Sequence, residues 1–436
     1  MQRNERIERE ILSAMKRPGA LYWIALFFCG SVFIVGMLFW GHQLKTGLGV
    51  AGISHPVAWG VYITNFVFWV GIAHSGTLIS AVLFLFRAKF RTSFNRAAEA
   101  MTVFALMVAG LFPLIHLGRT WVFYYLLPYP SQRMIWPNFR SPLVWDVFAI
   151  STYLTVSLIF FYVGMIPDLA IMRRRFTGIR SRIYQVLSLG WEGRLGEWRN
   201  YEQLYLFLAA FATPLVASVH SIVSWDFAMS ILPGWHTTIF APYFVAGAIF
   251  SGTAMVITLV VPMRKVLSLE KYITVDHIES IAKILLFTSL IVTYAYIVEP
   301  ALAVYGKNPF EIEAFRYRAF GDYSPLFWTM ILCNSILPLT LFIKRLRRNI
   351  IFLFILSLLV NVGMWLERFV IIVSSLARDY TPYAWGTYHP SLVEVGITLG
   401  GFGLFFSAYL IFLKTLPVLS ITEIKERSDG TKNHSE

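Results

Sequence analysis

The side chains that can hold or pass a proton from inside the long apolar runs of this sequence include His74, Glu99, His116, Asp146, Asp168, His220, Lys283, Glu299 and Arg368. Ionisable groups at membrane depth are costly and usually functional. His116 and Asp146 form the most informative pair. They stand thirty residues apart, which puts them on consecutive antiparallel helices at matching depth if each run is a span. A histidine and a carboxylate so placed can each hydrogen-bond one oxygen of a quinone. Each can also take one of its two protons, because both titrate near neutral pH once their surroundings shift them. A buried His–Asp pair that satisfies itself, or interfacial residues that reach for water, is the plainer reading, and residue type alone leaves it open. Arg119, Trp145, Tyr124 and His220 are candidate neighbours of such a site or contacts for a partner. Arg119 reads equally as an ordinary interfacial arginine.

Other polar positions suggest a route for protons: His74, Asp168, Glu299, Lys283 and Arg368. Each has a plainer role as well. His74 fits a helix–helix hydrogen bond, Glu367-Arg368 an internal ion pair that locks helices, and Asp168 with Lys283 a pair of interfacial charges. A haem between two histidines is the competing cofactor. His116 and His220 read as sharing a depth, but a Pro-rich aromatic loop and a nearby Asp are unusual beside a haem. The two cysteines, Cys29 and Cys333, both lie in apolar runs. They suit neither a disulfide framework nor a metal or iron–sulfur site, so no metal is expected.

The elements that carry these residues follow from composition. Of 436 residues, 57% are hydrophobic and only 14% charged, against roughly 25% charged in soluble domains. With a mean hydropathy of +0.62, the chain cannot cover a water-facing surface, and soluble enzymes, disordered chains and nucleic-acid modules are excluded. Ten runs are long enough to span, near 20–41, 57–86, 97–117, 143–172, 203–224, 238–263, 274–299, 324–343, 350–374 and 391–414. An even count puts both termini on one side. The segments on that side hold 27 of the 37 Lys/Arg, and the opposite segments hold 8. The net charge of +13 is therefore mainly the positive-inside signal, and both termini are expected in the cytoplasm.

Two blocks repeat. Gly71–Thr77 matches Gly247–Thr253 at an offset of 176, which also pairs Trp59 with Trp235, and Ser141–Asp146 matches Ser324–Thr329. The second offset places Glu299 opposite His116. Spans 2–5 and 6–9 thus read as two parallel-repeat four-helix bundles with two peripheral helices, in an all-α polytopic membrane protein. The organisation expected is a cytoplasmic segment 1–19, span 1 with its loop 20–56, a first bundle 57–224 holding the quinone site, a second bundle 225–374, span 10 with its loop 375–419, and a cytoplasmic tail 420–436. The tail's polar composition predicts no fixed structure. The segments 118–142 and 300–323, rich in aromatics, prolines and charges, suit docking of an extracytoplasmic partner. A secondary transporter also uses duplicated bundles, but here the polar cluster sits at one edge rather than the midplane. Pro113 and Pro214 inside spans keep kinks, and so that alternative, open.

The motifs His55-Pro56, Trp59-Gly60, Tyr62, Phe66, Gly71-Ile-Ala-His74-Ser75-Gly76-Thr77, Leu114-Ile-His116-Leu-Gly118-Arg119, Ser141-Pro142-Leu-Val-Trp145-Asp146, Pro167-Asp168, Val219-His220-Ser221 and Glu367-Arg368 carry a resemblance. The chain resembles the NrfD/polysulfide-reductase membrane-subunit family in its ten-helix form. Within it, the chain is most similar to the quinol-binding subunits of bacterial alternative complex III. The resemblance implies a bacterial inner-membrane subunit without a redox centre of its own, no haem or iron–sulfur cluster included. Such a subunit oxidises menaquinol near the periplasmic face and passes electrons to a periplasmic iron–sulfur, molybdopterin-like subunit. It implies a paralogous membrane subunit and cytochrome c-type subunits as partners, lipid around them, and proton release or translocation. His116 and Asp146 match the family's quinone-site positions; Glu299, Arg368, His74 and Asp168 match positions proposed for proton routes. Near neighbours are a paralogous scaffold subunit lacking a competent quinone site, and the anchor of a polysulfide- or tetrathionate-type reductase.

Overall fold

The computed structural model describes residues 2–15, 18–127 and 141–430. In chain order its helices are α1 (Gln2–Ser13), α2 (Ala20–Thr46), α3 (Val61–Leu85), α4 (Asn95–His116), α5 (Pro142–Arg175), α6 (Ile179–Leu187), α7 (Leu195–Ala228), α8 (Phe240–Val266), α9 (Val275–Gly306), α10 (Pro309–Phe320), α11 (Ser324–Phe342), α12 (Ile350–Ala377), α13 (Leu392–Thr415) and α14 (Ile421–Gly430). Among the described residues there is no strand. Ten of the helices are long and apolar enough to cross a membrane: α2 to α5, α7 to α9, and α11 to α13. The chain is a multi-pass membrane protein.

The helices differ sharply in how much of their surface other helices cover. In α3 and α8, 83% of the apolar window is buried, while α2 buries 6%. α3 and α8 are therefore the centre. They can approach because small residues face each other. Ser75 Oγ donates to the Ile249 carbonyl at 2.7 Å, and a Cβ on Gly252 would lie 2.6 Å from the Ile72 carbonyl oxygen. Trp59 and Trp235, also matched at the offset of 176, pack with ring centroids 5.8 Å apart and planes tilted by 31°. At the periphery α2 meets α13, where a Cβ on Gly36 would come within 2.4 Å of the Gly400 Cα. One added methyl at either glycine would force those helices apart.

The first and last described helices, α1 and α14, lie on one side, called here the terminal face; the other is the distal face. Lys425 of α14 and Arg175 of α5 both pair with Glu8 of α1. The tail departs from its composition. Residues 421–430 are helical, because Thr422 donates from N and Oγ1 to Asp168 at 3.1 and 2.9 Å, and Glu423 takes Arg91 and Asn95 as partners. These side chains satisfy buried polar groups that would otherwise be orphaned. On the same face the Tyr272 hydroxyl, then Lys271 and Arg6, hold the Glu10 carboxyl down at about 2.

Candidate functional site

Ser141-Pro142 starts α5 with a proline in the first turn, where no backbone N–H is needed. Trp145 and Asp146 follow at once, near the distal end. The antiparallel α7 ends at Ala228, so Trp225 and Asp226 occupy its last turn at the same level. Trp145 and Trp225 meet edge to face at 5.9 Å. The Asp146 and Asp226 carboxyls face each other within hydrogen-bonding reach. Each keeps a buried Oδ1 without a partner. Among the described residues no Lys, Arg or His pairs with either. Two carboxyls in hydrogen-bond contact need one proton between them, so the pair behaves as a unit. Immediately beside it opens an apolar cleft of about 490 Å³, lined by Trp145, Trp225, Met229, His236, Thr237 and Ala241 among others.

His116 ends α4, and its buried Nδ1 has no partner; it makes no hydrogen bond or ion pair with Asp146. The side chain that faces Asp146 is Asp226 instead. Arg119 is exposed, with no ion pair among the described residues. Tyr124 lies in the short turn Thr120–Leu126, its ring 4.7 Å from Tyr125. Arg133 and Arg140, with most of the aromatic–proline stretch of 118–142, lie outside the described residues.

His220 is deeper than its expected place at a distal span end. α7 runs on to Ala228, four residues past the apolar run, which draws His220 inward. Its ring lies 4.5 Å from that of His74 rather than level with His116, closer than two axial ligands of one iron can stand. His74 Nδ1 is bonded to the Val70 carbonyl at 2.6 Å. His74 Nε2 and both His220 ring nitrogens are buried without partners. Tyr153 closes this group, donating to the Ala73 carbonyl at 3.0 Å and bonding Thr77 at 2.8 Å.

The second half is wired differently. Glu367 pairs with Arg368 and accepts from the Tyr296 hydroxyl, to which Asn334 donates at 2.9 Å. The internal ion pair is thus present, and it ties α12 to α9 and α11. Arg368 lies 5.2 Å from the Phe244 ring, which is 5.9 Å from His220. Like His220, it sits deeper than a span end, because α12 continues to Ala377. Glu299 faces Arg318 at 3.8 Å. Arg318 in turn donates to Ser374 Oγ, Ser375 Oγ and the Gly234 carbonyl. Glu299 borders a second distal cleft of about 330 Å³, which shares His236, Thr237 and Thr238 with the first.

Towards the terminal face Asp168 pairs with Arg96 at 3.2 Å, and Arg96 with Glu99 at 3.0 Å, all three buried. Lys283 is not part of this group. It is 59% exposed and pairs with Glu279, so the structure does not bring Asp168 and Lys283 together. Asp226, Arg96, Arg318 and Tyr153 are the polar residues that sequence reasoning leaves out of the site. Asp226 falls just beyond the edge of an apolar run, and Arg96 just before one. No group of three or more metal-ligating side chains occurs among the described residues.

The chain is similar to a protein of Halobacterium salinarum described as a membrane subunit of dimethyl sulfoxide reductase, 26% identical over 84% of this chain and 85% of that one. It is also similar to a selenate reductase subunit of Mesobacillus selenatarsenatis, 22% identical over 92% and 94%. Residues 49–378 match the family described as polysulphide reductase, NrfD, and that span, which holds Asp146, Asp226, Glu299 and Arg368, makes the chain a member of the NrfD/polysulphide reductase membrane-subunit family.

Proposed function

We propose that this chain is the quinol-oxidising membrane subunit of an oxidoreductase complex. The observation that carries the reading is a carboxyl pair free of any described cation, set beside an apolar cleft with two tryptophan walls. A quinol needs an apolar slot for its ring and proton acceptors for its hydroxyls, and the buried, unpartnered oxygens of Asp146 and Asp226 meet the second need. Quinol oxidation releases two electrons and two protons. In this reading the carboxyl pair accepts one of these protons, and His116 Nδ1, which has no partner of its own, accepts the second. The electrons leave at the distal face to a redox centre in a partner subunit, because this chain supplies orientation and electrostatics rather than a redox group.

The distribution of Lys/Arg supports a cytoplasmic terminal face and a periplasmic quinol site in a bacterial inner membrane. Exposed aromatics there, Trp121, Tyr305 and Tyr383 among them, suit a periplasmic iron–sulfur partner. Menaquinol is the proposed substrate, and alternative complex III is one assembly that would use this site. The reductase names of the two relatives favour a second setting, in which the same site feeds a partner that reduces a terminal acceptor. Proton translocation would use the line from Glu299 and Arg368 through His220 and His74 to Asp168, with Lys283 apart from it.

The test is quinol oxidation by the purified complex carrying Asp146→Asn, with assembly checked on the same sample. Turnover falling tens-fold or more in an intact complex supports the reading. Unchanged turnover in an intact complex overturns it in favour of a scaffold or transport role.

A further inference from the structure

α5 is 34 residues long, about 51 Å, well beyond the roughly 30 Å of a bilayer core. Its excess emerges on the terminal face, and α6 folds back along it. Ser181 Oγ donates to the Arg173 carbonyl at 2.9 Å. At the far end of α6, the Tyr162 hydroxyl donates to the Leu187 carbonyl at 2.8 Å. Tyr162 lies twenty residues after Pro142, about 30 Å along α5, so this bond pins the end of α6 to the inner boundary of the hydrocarbon layer. The tip that reaches this boundary is bare and apolar. Val186 is 74% exposed and Leu189 70%, and Ile183 one turn back is also exposed. Above the tip stand Arg174 and Arg182, both exposed and neither ion-paired among the described residues. Arg182 borders a groove of about 330 Å³ with Ile179, Ile183 and Val186. Trp191, two residues past Leu189, packs edge to face on Trp198 at 5.1 Å, a pair of the kind found at membrane interfaces.

We propose that the α6 hairpin is a binding site for an anionic phospholipid: acyl chains lie against Ile183, Val186 and Leu189, and the headgroup phosphate meets Arg174 and Arg182. The order of chemistry along the hairpin matches the order across a leaflet, apolar at the acyl boundary and cationic beyond it, with Arg182 about a turn from Val186 and Arg174 next to the Arg173–Ser181 contact. An arginine supplies a planar pair of donors to a phosphate, and each basic side chain near an anionic leaflet adds attraction. The site is independent of the quinol reading, since no residue is shared between them.

The experiment is thermal unfolding of the purified protein in nanodiscs of phosphatidylcholine, with and without one third phosphatidylglycerol, for the wild type and Arg174→Gln/Arg182→Gln. Native mass spectrometry counts retained lipid on the same samples. The wild type is expected to gain about 2–4 °C with phosphatidylglycerol and to retain at least one such lipid, and the double variant to lose most of both. An equal gain in the double variant, or no gain in the wild type, overturns the proposal. So does an equal gain from soluble glycerol phosphate in phosphatidylcholine discs, which would show a site for a free anion rather than a lipid.

Discussion

Two groups of buried carboxyls, Asp146 with Asp226 and Glu299 with Glu367, are partnered in opposite ways. Between α5 and α7 Asp146 faces Asp226, with no described cation on either. In the second group, Glu299 has Arg318 and Glu367 has Arg368. A carboxylate beside a buried arginine has its charge balanced and holds helices together. A carboxyl that meets only another carboxyl must keep a proton and can exchange it. The difference sets an exchangeable pair apart from charge-balanced ones within one fold, and it is why the quinol site is proposed at Asp146 and Asp226.

The largest effect should come from breaking the architecture. Arg368→Ala leaves Glu367 buried without its cation, a loss of about 3–5 kcal/mol, read as little assembled complex or a much lower melting temperature. Normal assembly of that variant would remove the structural role given to the second group. Trp225→Ala should raise KM for quinol about tenfold, the equivalent of about 1.4 kcal/mol, with kcat nearly unchanged. A kcat loss with KM intact would move the cleft's role from binding to chemistry. Glu299→Gln should leave quinol oxidation within about threefold while lowering thermal stability; a loss as deep as that of an Asp146 variant would erase the contrast between the two groups. The smallest effect lies on the terminal face. The depressed Glu10 carboxyl stabilises docking of α1 above its unfolded value of roughly 4.5, and that contribution fades as pH falls from there towards about 2. Hydrogen exchange in α1 should therefore be slow at pH 6 and should quicken, relative to Glu10→Gln, as pH drops below about 4.5.

Much of the scaffold is legible in the sequence because a bilayer demands long apolar helices, and the ten apolar runs correspond to ten long helices within a few residues at most ends. The ends that differ are the ones that matter. The fifth run stops at 224 on hydropathy, while the helix continues to Ala228; hydropathy therefore places Asp226 in a loop and His220 too near the surface. A helix end rich in Trp and Asp stays helical because its neighbour α5 covers it, which hydropathy cannot register. His116 and Asp146 stand out in the sequence as chemically able residues, but spacing gives depth and not azimuth, so it cannot show that Asp146 turns to Asp226. The tail escapes sequence reasoning for the same reason: Thr422 and Glu423 are polar, yet their partners, Asp168 and Arg91, are buried groups far away in the chain.

The central claim is that Asp146 and Asp226 act as one proton-exchanging unit. Its most direct test is quinol oxidation by complexes carrying Asp146→Asn, Asp226→Asn and both, each verified as assembled. A unit predicts that each single change costs tens-fold or more and that the double change costs no more than about threefold beyond the worse single one. Losses that multiply, or an Asp226→Asn complex with full turnover, would contradict it.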